Sequence, residues 1–343
     1  MDAKQYAALN GTYRECLVFH LGYNAGFFTE FTYMVNAMIY CLDRHLCFKL
    51  YSEDANFGTG TGWNEFFMPF CEDEHNWFHH RFNFHRVPDW GTVLRAAWQK
   101  RSPSFVVWKC KYLLLDVLAK GHCAARFSRK TYLTQDISFD HRKRFSFPEL
   151  DFEGDYLQAF RELSLMIWRF NADTEKAYRE AMSQLSLPQQ YVGCQIRGGD
   201  KITETELVSH NLYLDPIRRQ SEQCVFLLTD DYRNFEALRT EAPDHHWLTL
   251  CQPDERGYDH KQFVAKDPDF KRRNITKLLV SVQILMDASS FIGSITCGPS
   301  VFLMKLKYPE DAAIDCAPEK LKDVLPLDIV RRGAVAREFL KSL

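Results

Sequence analysis

The feature of this chain that most narrows its possible folds is a regular alternation of short apolar runs and longer amphipathic stretches through its second half. Residues 191–196 (YVGCQI), 224–228 (CVFLL), 247–250 (WLTL), 291–295 (FIGSI) and 312–315 (AAID) each read as a short buried strand. Between them, residues 212–220, 232–240, 272–288 and 298–307 carry apolar side chains at the three- and four-residue spacing of a helix face. Strands that strictly alternate with helices are joined by crossovers, which predicts a parallel, doubly wound sheet.

The first half opens the same way. Residues 16–20 (CLVFH) read as a strand, followed by the turn from Gly22 to Gly26 and a helix to about His45. In that helix Phe27, Phe31, Met34, Met38, Cys41 and Leu42 fall on one face. Residues 46–51 (LCFKLY) then give the next strand, so this is a βαβ unit. Residues 105–108 (FVVW) are a further strand candidate. The stretch 56–90, rich in Gly, His and aromatics, has no period and is expected to form long loops with short helices. Residues 153–185 read as one helical stretch ended by Pro188, and the tail after Pro318 as an amphipathic helix packing back on the first half.

Composition excludes several classes. Hydrophobic residues make up 46% and charged residues 26%, the balance of a folded globular chain. The formal net charge of -2 supplies no field for nucleic acid; residues 126–130 and 141–144 form a basic stretch that reads first as a solvated loop face and also suits phosphates or an anionic membrane surface. No run of about 18 apolar residues is present, so no transmembrane segment is expected. The eleven cysteines show no CxxC spacing, and the first residues contain no signal-like apolar core, which together suggest a reducing cytoplasm.

In an open parallel sheet, ligands bind beyond the carboxyl ends of the strands, so the residues after each strand carry the chemistry. Gln195 and Ile196 lead into Arg197-Gly198-Gly199-Asp200-Lys201. A guanidinium at a strand end followed by glycines suits a phosphate, because the fork matches its oxygens and the glycines let the anion approach the backbone. Thr229-Asp230-Asp231 follows the next strand. Thr296, Cys297, Gly298, Pro299 and Ser300 lie between a strand and a helix, with Gly298 the expected N-cap and Pro299 the first helical residue. Such a helix start offers unpaired N–H groups to a diphosphate.

QIRGGDKITETEL, residues 195–207, resembles the HxRRxDK motif of the α1,6-fucosyltransferases, shared more loosely with α1,2- and protein O-fucosyltransferases. LLTDD (residues 227–231) looks like the family's ATDD, and residues 278–302 look like its helix, strand and serine-rich turn. The first half is similar to the family only in the Gly22–Gly26 turn and following helix, and also resembles bacterial capsule and lipopolysaccharide glycosyltransferases in YCLDRHLCFKLYS and GWNEFFMPFC. The resemblance implies an α/β GT-B fold, two Rossmann-like domains facing across a cleft. It implies a nucleotide-sugar donor, GDP-fucose favoured, a glycan acceptor, inversion at the sugar carbon, and neither cofactor nor metal. The expected organisation is an acceptor-side domain with a linking helix over residues 1–187, a donor domain over 188–318 and a tail over 319–343.

The resemblance makes Arg197 the β-phosphate ligand and matches Asp200 and Lys201 to the motif's Asp and Lys. This chain has Gln195 in place of the motif's His and Gly198 in place of its second Arg. An aspartate that pairs with guanine in the family falls near Ser281. The family's candidate base falls on Glu204, with Glu206 next; both also suit a helix N-terminal cap. Asn24, Gly26 and Glu30, after the first strand, are candidates for donor phosphate or acceptor, and Glu30 equally for capping. Cys71, His75, His79, His80 and His85 have no compact ligand set, so no metal is expected. The glycines 58, 60 and 62 lack the GK[ST] of a phosphate loop and read as a mobile loop. Two other functions fit the same residues: transfer of another sugar from a UDP or GDP donor, and non-catalytic glycan or nucleotide binding on the same scaffold.

Overall fold

The computed structural model describes residues 1–22, 26–75, 77–81, 83, 90–118, 143–198, 210–294, 297–307 and 312–315. The chain divides into two compact units, Met1–Arg169 and Phe170–Leu343.

In the first unit α1 (Ala3–Thr12) precedes β1 (Cys16–His20), α2 (Phe27–Asp43) and β2 (Cys47–Tyr51). β1 and β2 pair in parallel, Cys16 opposite Cys47 and His20 opposite Tyr51, and the two-residue strand β3 (Glu72–Asp73) adds a parallel edge. Helix α2 buries the face predicted for it, and its aromatic side chains meet those of the following segment. Phe27 lies 4.8 Å from Phe57, and Trp63 stacks on Phe67 at 4.2 Å between ring centres. Much of the chain's phenylalanine is therefore core. The aperiodic segment after β2 is partly this core: Trp63, Phe66, Phe67 and Phe70 are all buried.

Three readings of the first half are corrected. Residues 105–108 are helical, inside α5 (Ser104–Leu118), which follows α3 (Trp77–Arg81) and α4 (Trp90–Gln99). Four apolar residues fit either period, and here Ser102 lies just before the first turn with its hydroxyl accepting from Ser104 N–H at 3.3 Å. The glycine segment is not left open: the Glu65 carboxylate accepts backbone N–H groups from Thr59, Gly60, Thr61 and Gly62 at 2.5–3.0 Å. The long helical reading over 153–185 breaks into β5 (Phe152–Asp155), antiparallel to β4 (Arg144–Phe147), then α6 (Tyr156–Ile167) and α7 (Ala172–Leu185). Asp155 starts α6 in a capping box with Gln158, and Asn171 caps α7. Trp168, between the helices, packs its ring against Phe28 and Phe67. The unit boundary at Arg169 agrees with this break, because α7 packs with the second unit, where Tyr178 donates to Asp287 at 2.7 Å.

The second unit holds β6 (Val192–Ile196), α8 (His210–Arg218), β7 (Cys224–Thr229), α9 (Tyr232–Glu241), β8 (His246–Thr249), α10 (His260–Val264), α11 (Pro268–Asp287), β9 (Ser290–Ser294), α12 (Gly298–Leu306) and β10 (Ala312–Asp315). All five strands are parallel in the order β10-β9-β6-β7-β8. The first strand of the unit is thus central and the chain winds outward from it in both directions, the Rossmann order. Val192, Cys194, Ile196, Leu214, Val225 and Leu227 form its core. Gly193 lets α11 lie directly on β6: a Cβ there would stand 2.9 Å from Leu285 and 3.1 Å from Ala288. The tail after Pro318 lies outside the described residues.

Candidate functional site

The doubly wound order creates a switch point between β6 and β9, whose connections leave in opposite directions. Register brings the strand ends level: Gln195 pairs with Gly293 and Ile196 with Thr229. Arg197 is the first residue beyond the central strand. Its guanidinium carbon lies 5.2 Å from the centre of the Tyr258 ring, a cation–π contact.

Asp230 organises this end of the sheet. One carboxylate oxygen accepts the Gly198 N–H at 2.7 Å and the other the Tyr258 N–H at 2.8 Å, while its carbonyl accepts from Gly257 at 2.8 Å. One acidic side chain thus fixes both the turn after Arg197 and the segment that brings Tyr258 to it. Gly198 has little room for more, since a Cβ would sit 3.1 Å from that of Asp231. Asp231 caps α9 and pairs with Arg233 at 2.5 Å, and the Arg233 guanidinium holds its carboxyl below the usual range. Thr229 is buried, its hydroxyl joined to Asp231 backbone and the Asn234 amide. On the other side of β6, α12 starts at Gly298 with Cys297 rather than Gly298 at the N-cap. Cysteine has no oxygen with which to cap the first turn, so the backbone N–H groups there are the kind that bind anions. Ser300 is fully buried and its hydroxyl donates to the buried Gln195 amide oxygen, which ties α12 to β6.

The fold therefore gathers Gln195, Arg197, Gly198, Thr229, Asp230, Cys297, Gly298 and Ser300 at one end of one sheet. It does not bring Ser281 there as a ligand: that residue is buried in α11 and its hydroxyl donates to Lys277 carbonyl, one turn back, at 2.8 Å. Asn24, Asp200, Lys201, Glu204, Glu206 and Thr296 lie outside the described residues. Sequence reading missed Tyr258, Gly257 and, close to them in sequence, Glu255, which pairs with Lys277. The signal was available, for CQPDERGYD follows β8 directly and the rule that selects Arg197 applies to it equally.

The carboxyl ends of β1 and β2 carry a second polar group. His20 Nε2 and His79 Nδ1 are 2.8 Å apart, and both side chains are buried. His80 Nδ1 reaches Asp54 at 3.1 Å and the Tyr51 hydroxyl at 3.2 Å. Asn83 donates to Leu21 carbonyl at 2.7 Å and to Asp54 at 3.0 Å. The buried Glu30 carboxylate accepts the Gly22 N–H at 2.6 Å, and Gly26 is the N-cap of α2. His75 pairs instead with Glu53. Among the described residues no three His, Cys, Asp or Glu side chains are placed to hold a metal, and no helix is long and apolar enough to cross a membrane.

This end-of-sheet arrangement on a Rossmann-ordered sheet, preceded by a unit built on a smaller parallel sheet, defines a mixed α/β protein whose structural neighbours are GT-B fucosyltransferases. A mutant of Arabidopsis thaliana FUT1, solved in complex with GDP, is 8% identical with a TM-score of 0.51, covering 91% of this chain and 72% of that one. Fucosyltransferase NodZ from Bradyrhizobium is 10% identical with a TM-score of 0.49 over 84% of this chain and 92% of that one. POFUT1 in complex with GDP is 10% identical with a TM-score of 0.47 over 88% and 99%. No protein-family model and no curated protein matches this sequence.

Proposed function

We propose that this chain is an inverting, metal-independent glycosyltransferase that moves fucose from GDP-fucose to a hydroxyl of a glycan acceptor. The observation that carries the reading is Arg197 at the end of the central strand, at the switch point, on the sheet edge where α12 starts with an N-cap, Cys297, that makes no side-chain cap hydrogen bond. A diphosphate placed there meets a guanidinium on one side and helix N–H groups on the other. The acceptor oxygen bonds to the sugar carbon as the bond to the β-phosphate oxygen breaks; the electron pair leaves on the diphosphate and the acceptor proton passes to a carboxylate. Glu204 is the proposed base, with Glu206 next, and Asp200 and Lys201 complete the donor-side loop. Arg197 and the α12 start stabilise the charge that grows on the leaving group, which is the role a metal ion plays elsewhere. The acceptor-side residues are proposed on the first unit, at Asn24, Gly26 and Glu30. The described cysteines are thiols rather than disulfides, which suits a cytoplasmic setting.

Ser281 favours a second reading of the donor's base. Its hydroxyl is engaged inside α11, so the position that meets guanine in the resembling family offers no base-reading group, and a UDP-sugar suits the same phosphate site. A thermal-shift series separates the two. GDP at about 100 times its dissociation constant adds about 2.7 kcal/mol of stability, a rise of a few degrees in Tm, while UDP, CMP and ADP add little. Stabilisation by UDP alone selects the second reading, and no stabilisation by any nucleotide overturns both. Turnover of GDP-fucose that is abolished by a chelator and restored by manganese overturns the metal-independent mechanism.

A further inference from the structure

Helices α4 and α5 pack against each other as a hairpin, yet leave a large apolar surface uncovered. Trp90, Leu94 and Trp98 are exposed on α4, Trp98 by 86%, and they recur every four residues, which stacks them in one stripe about 12 Å long. On α5, Val107 and Leu114 are exposed, with Lys111 between them on the same face. Scattered exposed hydrophobics are ordinary in folded proteins. These are not scattered: six of the ten large hydrophobic side chains exposed among the described residues fall within this one hairpin.

Among the exposed described residues of the hairpin, the charge beside the stripe has one sign. Arg95 borders Trp98 on the exposed side of α4, Lys100 and Arg101 occupy the turn, and Lys111 is exposed on α5. The only acidic residue between 90 and 118 is Asp116. Lys100 is held at the turn with its ammonium 5.1 Å from the centre of the Phe105 ring. An apolar stripe containing tryptophan and bordered by cations is the pattern of a helix that lies in a bilayer interface, where indole rings settle at headgroup level and cations meet lipid phosphates. A second protein copy would place these cations against their own kind. We propose that the α4–α5 hairpin is a docking surface for an anionic lipid membrane. The inference does not depend on the reaction assigned to the second unit.

The test is co-sedimentation of the full chain with vesicles of phosphatidylcholine alone and with about 30% phosphatidylglycerol, read as a partition coefficient. The wild type is expected to partition about tenfold or more better into the anionic vesicles, with that preference shrinking as salt rises. Leu94→Gln with Trp98→Gln removes exposed groups only, so it should lower partition about tenfold while leaving Tm and circular dichroism unchanged. Arg95→Gln with Lys100→Gln should lower partition into anionic vesicles and not into neutral ones. Equal sedimentation of the wild type with and without anionic lipid overturns the proposal, as does a Leu94/Trp98 variant that binds like wild type. Light scattering that finds a dimer in the wild type and a monomer in that variant, with no vesicle binding, assigns the surface to a second copy instead.

Discussion

The two parallel sheets of this molecule end differently at their carboxyl edges. Beyond β1 and β2 the polar side chains are turned on one another: His20 on His79, Asp54 on His80 and Asn83, Glu30 on the Gly22 backbone. Beyond β6, β7 and β9, one acidic residue holds two turns in place beside a guanidinium, a glycine and a helix start. A buried polar group that loses its partner costs about 1–3 kcal/mol, so the first edge is a structural device whose members depend on each other. The second edge is held by Asp230 and keeps a cation and helix N–H groups at the strand ends. Donor-phosphate chemistry is to be sought at strand ends of the second kind, where a guanidinium, a glycine and a helix start meet.

Substitutions at the proposed catalytic residues of the second unit test this contrast most severely. Glu204→Gln keeps size and hydrogen bonding while removing a proton acceptor. As the proposed base, its loss should lower kcat roughly 10²–10⁴-fold with donor affinity nearly unchanged. If Glu204 merely caps a helix, the amide serves almost as well and turnover persists; Glu206→Gln in parallel identifies which carboxylate acts. Arg197→Ala comes next. It removes a charge-assisted contact that strengthens as the diphosphate leaves, and should cost about 3 kcal/mol or more of transition-state stabilisation, roughly 10²-fold in kcat/KM. Near-normal turnover in a folded Arg197→Ala protein would remove the open edge from the mechanism.

The open edge is more legible in the sequence than the sealed one, for a physical reason. The second unit is a run of βα repeats, and strands buried on both faces read as continuous apolar runs, so β6 to β10 can be placed within a residue or two. With the strands placed, Arg197, Asp230 and Gly298 emerge from position alone. The role of Asp230 is not legible, because its partners Gly198 and Tyr258 lie 32 and 28 residues from it in sequence. In the first unit, residues 56–90 show no period because much of the segment is aromatic packing, Trp63 on Phe67 for example, rather than regular structure. Residues 105–108 mislead because a four-residue apolar run fits strand and helix equally. The helical pattern over 153–185 conceals its own interruption at Trp168, whose aromatic character continues the apolar face while its ring turns into the core.

At the sealed edge the largest expected loss is of stability, not turnover. Gly22 has φ of +115°, where side chains are strained, and a Cβ there would lie 2.8 Å from the Asp54 carbonyl and 3.1 Å from the Asn83 amide. Gly22→Ala therefore strains the backbone and pushes apart the groups that close this edge. Chemical denaturation should show a loss of about 2–3 kcal/mol. A loss under about 0.5 kcal/mol would mean that the network yields easily and that the first edge is no structural device.

The smallest effect is expected for the matching substitution at the open edge, Gly198→Ala. Gly198 is not among the residues of positive φ, so alanine meets no backbone penalty there. The new Cβ would stand 3.1 Å from the Asp231 Cβ and 3.5 Å from its carboxylate, which asks for a shift of a few tenths of an ångström. The neighbour is a side chain rather than a carbonyl, but it is held by Arg233, so relief is partial. The Gly198 N–H that Asp230 accepts is kept, and alanine lowers the entropy of the unfolded chain, which offsets part of the crowding. The net change in stability should stay within about 1 kcal/mol, a quantity that paired denaturation curves of Gly22→Ala and Gly198→Ala resolve. Equal losses in the two variants would erase the distinction between the edges. A small loss at Gly198 together with a measurable drop in nucleotide affinity would strengthen it, because the methyl would then be felt by the ligand's approach and not by the fold.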